Sequence, residues 1–488
     1  MQSPRHWPEQ DNRATWFAAV VTGIALALVH LQLYRVIENE WNAAYPQYVT
    51  RNFTAATVMF AVFALPLLLR RLHVGVTSWA WMAVGLVSAL ASMVPMALHA
   101  TGSESTASFL YGGQRVPQAG AIFVDLLVPL KSLWCSRLGF DVFEVGNGCM
   151  DPVIYGPGFL WLKWIPFNLH EVVPLAILGV TLALACCCAA ALLARMSGSL
   201  GVLALLVCVL GAPWLLLLER GNLDAIVLLT AVGLAVGLSR RNTYGMWLLA
   251  ALAFWILGTW KYYPFAMGVG LLLALGVRRG WTIVVGYLLA SLAFVALTWN
   301  SFLLSQQGNQ PYVDDYIMLG RIPVVARMVD AVFPPSGWQM GDVFIFVLAI
   351  SACAWGFVAS RNLIVSSVRP IFLGSIGSAL YLGSILVAGF GFAYKSVFLL
   401  LCVPLLSIPA AFRTRARIYS FTVSLVLVVI GSVVVWNTVL ASLAGIIAGS
   451  FAFGSSLSIM LKRFLIARED TRVKDGLGTA GVVAGQEL

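Results

Sequence analysis

The chain has 488 residues, 60% of them hydrophobic and 10% charged, with a mean hydropathy of +0.90. A soluble globular domain carries roughly 45–50% apolar and about 25% charged residues, so composition excludes that class and indicates a polytopic membrane protein. The net charge of +10 would suggest nucleic acid in a soluble protein; here its distribution along the chain is what informs, and no nucleic-acid partner is expected.

In chain order, a polar start (Met1 to Arg13) is followed by apolar runs at 15–34, 53–69, 78–99, 172–194, 199–218, 223–238, 243–260, 264–277, 281–299, 343–360, 371–392, 396–411, 419–438 and 443–461. Runs of about 18 or more apolar residues are long enough to cross a hydrocarbon core as helices. The expected fold is therefore all-α, with about 12–14 transmembrane helices. Residues 1–14 form a cytoplasmic N-terminus, 15–77 hold two extra spans, 78–410 form a transmembrane module, 411–465 hold C-terminal spans, and the Gly-rich tail 466–488 is expected to be disordered. The first run is long enough to span and lacks a cleavage site, so no signal peptide is expected.

Charge orients these spans. Nineteen of the 30 Lys and Arg fall on the side of the termini, whereas the opposite side carries the other 11 together with 14 of the 20 acids. Short basic loops stay in the cytoplasm, so both termini are expected there, with the acidic loops outside the cell membrane. The outer loops 100–171 and 300–342 are long, and long loops are uncommon unless functional. Each contains a stretch with helical apolar spacing, AIFVDLLVPLKSLW (121–134) and RIPVVARMVDAVF (321–333), expected to lie along the membrane interface.

Six of the eight cysteines fall inside apolar runs; Cys135 and Cys149 share the first long outer loop, where they are either a disulfide or two unrelated thiols. No P-loop, dinucleotide fingerprint or H-E-x-x-H occurs, and the five histidines (His6, His30, His73, His99, His170) show no ligand spacing, so nucleotide hydrolysis and zinc chemistry are not expected. No cofactor is indicated, and the sequence leaves any divalent metal requirement open.

The polar residues Glu219, Arg220, Asn222, Asp224, Lys261, Tyr394 and Lys395 all fall at outer ends of expected spans, in one layer of the membrane. Arg220, Lys261 and Lys395 suit an anionic phosphate as a fork or as point charges; the alternative is that they snorkel to the interface or pair with neighbours. Asp125 is an acid inside an apolar stretch, an environment that can make a carboxylate a stronger base; alternatively it caps a helix or forms a salt bridge, for instance to Lys131 or Arg137. Glu38 and Glu40, in the more polar VIENEWNAAYPQ, are rivals for the base.

The loop VDLLVPLKSLWCSRLGFDVFE resembles the first outer loop of the GT-C class polyprenol-phosphate-sugar-dependent glycosyltransferases, particularly their polyprenol-phosphate-mannose α-mannosyltransferase branch. Asp125, Leu126, Gly139, Asp141 and Phe143 match its acid-Leu and Gly-x-Asp-x-aromatic pattern. IYGPGFLWL is similar to a Tyr-x-Pro segment (Tyr155, Pro157), RGNLDAIVLL to a Gly-Asn hairpin (Gly221, Asn222), GTWKYYPF to a Lys-x-x-Pro (Lys261, Pro264), and FAYKSVFLLLCVPLL to an aromatic-basic step (Tyr394, Lys395). Their order and common sidedness over residues 78 to 410 carry the resemblance.

The resemblance implies a GT-C-like fold and an inverting transfer of a mannose-like pentose or hexose from a polyprenyl-phosphate-linked donor to a lipid or glycan acceptor, in envelope glycan or glycolipid biosynthesis. Asp125 would be the base, Lys261, Arg220 and Lys395 would hold the donor phosphate, and Asp141, Tyr155, Glu219, Asn222, Asp224 and Tyr394 would support them. The two extra spans before 78 depart from the family and leave Glu38 and Glu40 open as the base, and Asp314, Asp315 and Arg321 have no counterpart by resemblance. The competing classes are a transporter or flippase of lipid-linked sugars, against which no inverted repeat is found, and a polysaccharide polymerase or ligase.

Overall fold

A computed structural model describes residues 78–94, 96–97, 122–144, 148–150, 155–164, 170–197, 199–209, 211–275, 277–307, 340–363, 365, 367–386, 393–408, 415–433 and 438–483. Every regular element among them is helical: α1 (Ser78–Ala91), α2 (Val124–Arg137), a 3-10 helix (Pro157–Trp164), α3 (Val172–Met196), α4 (Ser199–Val209), α5 (Ala212–Arg220), α6 (Asp224–Arg240) and α7 (Tyr244–Lys261). A second 3-10 helix (Tyr263–Ala266) leads into α8 (Met267–Leu275), α9 (Val277–Leu297) and α10 (Trp299–Gln307). Further along the chain come α11 (Met340–Ser360), α12 (Val368–Leu386), a third 3-10 helix (Ala393–Cys402), α13 (Val403–Leu406), α14 (Arg415–Val433) and α15 (Thr438–Val483).

The all-α, membrane-spanning character agrees with the sequence, but the arrangement of spans differs from it. Among the described residues five helices are long and apolar enough to cross a membrane, or six if α5 and α6 are one broken span. The runs expected at 199–218, 264–277 and 396–411 are not single long helices. The first is divided at Gly211, and Pro213 occupies the start of α5, where its missing N–H costs nothing. The other two begin as 3-10 helices, the first carrying Pro264 and the second giving way to a short α-helix whose first turn carries Pro404. Hydropathy counts apolar length and does not register these breaks. The runs 15–34 and 53–69, the stretch 321–333, and Glu38, Glu40, Asp314, Asp315 and Arg321 lie outside the described residues.

Two further segments bear on expectations from the sequence. The stretch around 124–137 is helical, and part of its apolar surface is turned into the protein: Leu126, Pro129, Leu130 and Leu133 are buried, and the helix packs on the first 3-10 helix, α3 and α5. Of the tail 466–488, expected to be disordered, the residues up to Val483 continue α15 as helix; extending an existing helix adds one hydrogen bond per residue ordered, without the cost of a new nucleus.

The packing of α11 against α15 depends on small residues. A methyl at Gly356 would overlap the Phe451 carbonyl, and one at Gly454 the Cys353 carbonyl, so the backbones approach as closely as glycine allows. Around the site α6 contacts α3, α7 and α12, while the third 3-10 helix lies against α5, α6 and α12. Large apolar side chains on α3, α7, α9 and α11 remain exposed, among them Val172, Val173, Leu252, Leu292 and Phe346, which is how helices bordered by lipid look when no lipid is counted.

Candidate functional site

Four helix ends meet at one point. Asp125 is in the first turn of α2 and Asp224 in the first turn of α6, whereas Arg220 and Lys261 close the last turns of α5 and α7. Acids at helix N-termini and cations at C-termini each complement the helix dipole, so four separate backbone placements favour the same charges.

The sequence ERGNLD builds the middle of the site. Gly221 adopts a left-handed conformation (φ 60°); its N–H reaches the Leu218 carbonyl and the Asn222 N–H the Leu217 carbonyl, the paired bonds that terminate a helix at a left-handed glycine. A bend of 108° between α5 and α6 follows, so the connection is a sharp corner. Asn222 Oδ1 accepts from the Asp224 backbone N–H at 3.0 Å and from Lys261 Nζ at 2.5 Å. Both acceptor contacts fall on one end of the amide, which leaves Nδ2 to donate to Asp125 Oδ2 at 2.6 Å.

Arg220 donates to the other oxygen of Asp125, with Nε at 2.8 Å and Nη2 at 2.7 Å from Oδ1. The Asp125 partner is thus Arg220, 95 residues along the chain, and not Lys131 or Arg137. Lys261 pairs with Asp224 Oδ1 at 2.5 Å, and Tyr263 donates its hydroxyl to the same oxygen at 2.7 Å. Lys395 Nζ sits 4.9 Å from the centre of the Tyr263 ring, a cation-π contact. One continuous chain of contacts runs Arg220, Asp125, Asn222, Lys261, Asp224, Tyr263, Lys395.

Tyr155 enters through the backbone of α2. Pro129 has no N–H, so the carbonyl four residues earlier, that of Asp125, lacks its helical donor; the Tyr155 hydroxyl lies 3.3 Å from it. Burial first, then the Asp125 and Asp224 carboxylates, push the Tyr155 phenol well above its ordinary range, so it remains a hydrogen-bond donor. Lys261 Nζ is also 5.4 Å from the centre of the Tyr155 ring. The chain after Tyr155 is held close to α7: the Gly156 N–H bonds the Trp260 carbonyl at 2.7 Å, and a methyl at Gly158 would overlap the Thr259 side chain. Gly158→Ala is therefore expected to cost roughly 1–3 kcal/mol of stability, read as a lowered unfolding midpoint in detergent. Gly233→Ala, where nothing lies within 4 Å of the added carbon, should match the parent or exceed it.

Among the described residues two that are not glycine hold positive φ, Phe123 at 60° and Tyr262 at 58°. They are two positions before Asp125 and one after Lys261. Such backbone costs on the order of 1–3 kcal/mol per residue and persists only where surrounding contacts over-determine it. For Phe123 those are its ring, packed within the space a methyl on Gly179 would need, and its N–H, bonded to the Glu219 carbonyl at 2.6 Å.

The expected residues thus divide. Asp125, Tyr155, Arg220, Asn222, Asp224, Lys261 and Lys395 converge, and Glu219 is fully buried behind them. Asp141 serves an exposed turn instead, accepting from the Phe143 N–H at 2.9 Å; the spacing that singled it out is that of a local loop. The side chain of Tyr394 is outside the described residues. Tyr263 was not anticipated, although it stands two residues after Lys261: a run of aromatics in an apolar span does not reveal which ring turns inward, and the positive φ of Tyr262 decides it. Among the described residues no group of three or more His, Cys, Asp or Glu is arranged to hold a metal. Neither a family model, nor a curated protein, nor a solved structure matches this chain.

The loop carrying Asp125 is pinned at its far end. Cys135, in the last turn of α2, is disulfide-bonded to Cys149 with a Cα separation of 6.0 Å, which decides between the two readings of the sequence. A loop of this length constrains the unfolded chain by about 3 kcal/mol. Cys135→Ser together with Cys149→Ser should accordingly lower the unfolding midpoint under oxidising conditions, and reductant should have the same effect on the parent but none on the double variant.

Proposed function

We propose that the chain is an inverting glycosyltransferase that uses a polyprenyl-phosphate-linked sugar at the outer face of the cell membrane, with both termini in the cytoplasm. The observation that carries this reading is the meeting of one carboxylate from a loop segment, Asp125, with three cations, Arg220, Lys261 and Lys395, at ends of apolar helices. That is the charge complement needed to take a proton from a hydroxyl beside a bound phosphate.

In the reaction so proposed, the acceptor hydroxyl gives its proton to Asp125 and its oxygen forms a bond to the anomeric carbon from the face opposite the leaving group. The bond from that carbon to the phosphate oxygen breaks, and polyprenyl phosphate leaves with the electron pair. Arg220, Lys261 and Lys395 offset the charge that collects on the departing phosphate. Asn222 holds Asp125 in place for this role through Oδ2, while Arg220 engages the other oxygen.

Incubating the purified full chain with radiolabelled polyprenyl-phosphate sugars and a membrane lipid extract tests the reading, and transfer of label to an acceptor is the expected result. A second reading, transport of a lipid-linked sugar, draws on the break between α5 and α6, because discontinuous helices with polar groups at the break are a feature of transporters. Movement of the labelled lipid between leaflets without consumption of donor would favour it and would overturn glycosyl transfer.

A further inference from the structure

We infer that Arg220 is an exchangeable clamp: in the structure it neutralises Asp125, and an anionic lipid phosphate entering the site takes it over, releasing Asp125 Oδ1. The inference rests on the functional reading above in taking the anion to be a lipid phosphate. The two ion pairs of the site are not equivalent. Arg220 and Asp125 retain 20% and 12% side-chain exposure, whereas Lys261 and Asp224 retain 9% and 0%. The outer pair can be reached from solvent; the inner pair cannot be opened without leaving a charge uncompensated in the interior, which is costly.

The geometry suits exchange at Arg220. Its Nε and Nη2 both engage the single oxygen Oδ1, so the planar fork is not spread across both carboxylate oxygens as in a bidentate pair. A phosphate offers the two-oxygen match that this arrangement lacks. Departure of Arg220 would not let Asp125 swing away, because Oδ2 keeps its bond from Asn222 Nδ2. Asn222 is itself held by Lys261 and by the Asp224 N–H. Lys261, tied to Asp224 and facing the Tyr155 ring, supplies a fixed positive charge while Arg220 changes partner. An acceptor hydroxyl therefore meets an open Asp125 oxygen only after the donor phosphate is seated. The sequence of events protects the donor: water meets no open base before the anion arrives.

The consequence is counterintuitive for a base variant. Asp125→Asn removes the charged competitor for Arg220, so the full-length protein in detergent should bind farnesyl phosphate roughly five- to tenfold more tightly than the parent, the difference between a guanidinium bonded to a carboxylate and the same guanidinium bonded to an uncharged amide oxygen. Arg220→Gln should bind it at least about tenfold more weakly, and adding Asp125→Asn to Arg220→Gln should restore nothing. Farnesol, which lacks the charge, should bind all four proteins alike. Unchanged or weaker farnesyl phosphate binding in a folded Asp125→Asn overturns the exchange, as does a gain that persists without Arg220. If Asp125→Asn does not fold, parent-like binding by Arg220→Gln overturns it equally. Inorganic phosphate is the remaining arm: tighter binding of it than of farnesyl phosphate would show a site for the free anion and overturn the lipid assignment. Failure of the glycosyl-transfer reading looks different, namely the expected binding order with no polyprenyl-phosphate sugar consumed by the parent.

Discussion

Asp125→Asn is expected to lower glycosyl transfer by roughly 10²- to 10⁴-fold, the usual contribution of a positioned general base, while leaving the fold intact. The substitution keeps size and one carbonyl oxygen, which still accepts from Arg220, while the new NH2 faces Asn222 Nδ2, whose amide must turn or lose that bond. What it removes is the group that accepts the proton. Initial rates of label transfer at saturating donor measure the effect, with detergent unfolding curves as the check that the protein remains folded. Full activity in the folded variant would remove Asp125 as the base, and loss of activity in Glu38→Gln or Glu40→Gln instead would transfer the role to the first outer loop. The structure makes the comparison with Tyr155→Phe informative as well: that hydroxyl supports the backbone carbonyl of Asp125 and not its carboxylate, so its removal should cost far less than the loss of the base.

The second large effect concerns stability. Asp224 has no solvent exposure and receives both Lys261 Nζ and the Tyr263 hydroxyl on Oδ1, while Oδ2 is buried with no hydrogen-bond partner among the described residues. Asp224→Ala leaves the Lys261 ammonium enclosed without its counter-charge, and breaking a buried pair from one side costs about 3–5 kcal/mol. Removing both charges, in Asp224→Ala with Lys261→Met, should recover much of that stability, because the penalty belongs to the uncompensated ion and not to the loss of the pair. A double-mutant cycle on unfolding midpoints in detergent measures the coupling. An Asp224→Ala protein within about 0.5 kcal/mol of the parent, the scatter of ordinary surface substitutions, would show that the inner pair is hydrated and does not anchor the site.

Much of the site could be anticipated from charge placed against apolar length. Arg220, Asn222, Asp224, Lys261 and Lys395 interrupt the ends of apolar runs, where polar groups are expensive and therefore gather, and Asp125 interrupts the apolar positions of its own helix. Their partners could not be anticipated in the same way. Asp125 and Arg220 are 95 residues apart, and the nearer Lys131 and Arg137 are equally good cations by sequence alone; the fold selects Arg220 because the first turn of α2 is docked on the end of α5 through the Phe123 N–H and the Glu219 carbonyl. Asp141 shows the converse, a matching spacing satisfied by an Asx turn in a loop.

The sequence by itself determined the helical, membrane-spanning character and which polar residues are too costly to scatter, because both follow from the transfer of side chains and backbone between water and hydrocarbon. Only the tertiary structure decided that the corner at Gly221 turns through 108°, that the Pro129 gap is filled by Tyr155, and that two cations read as phosphate ligands are already paired with carboxylates. These depend on side-chain direction and on contacts between distant segments, and composition and periodicity contain neither.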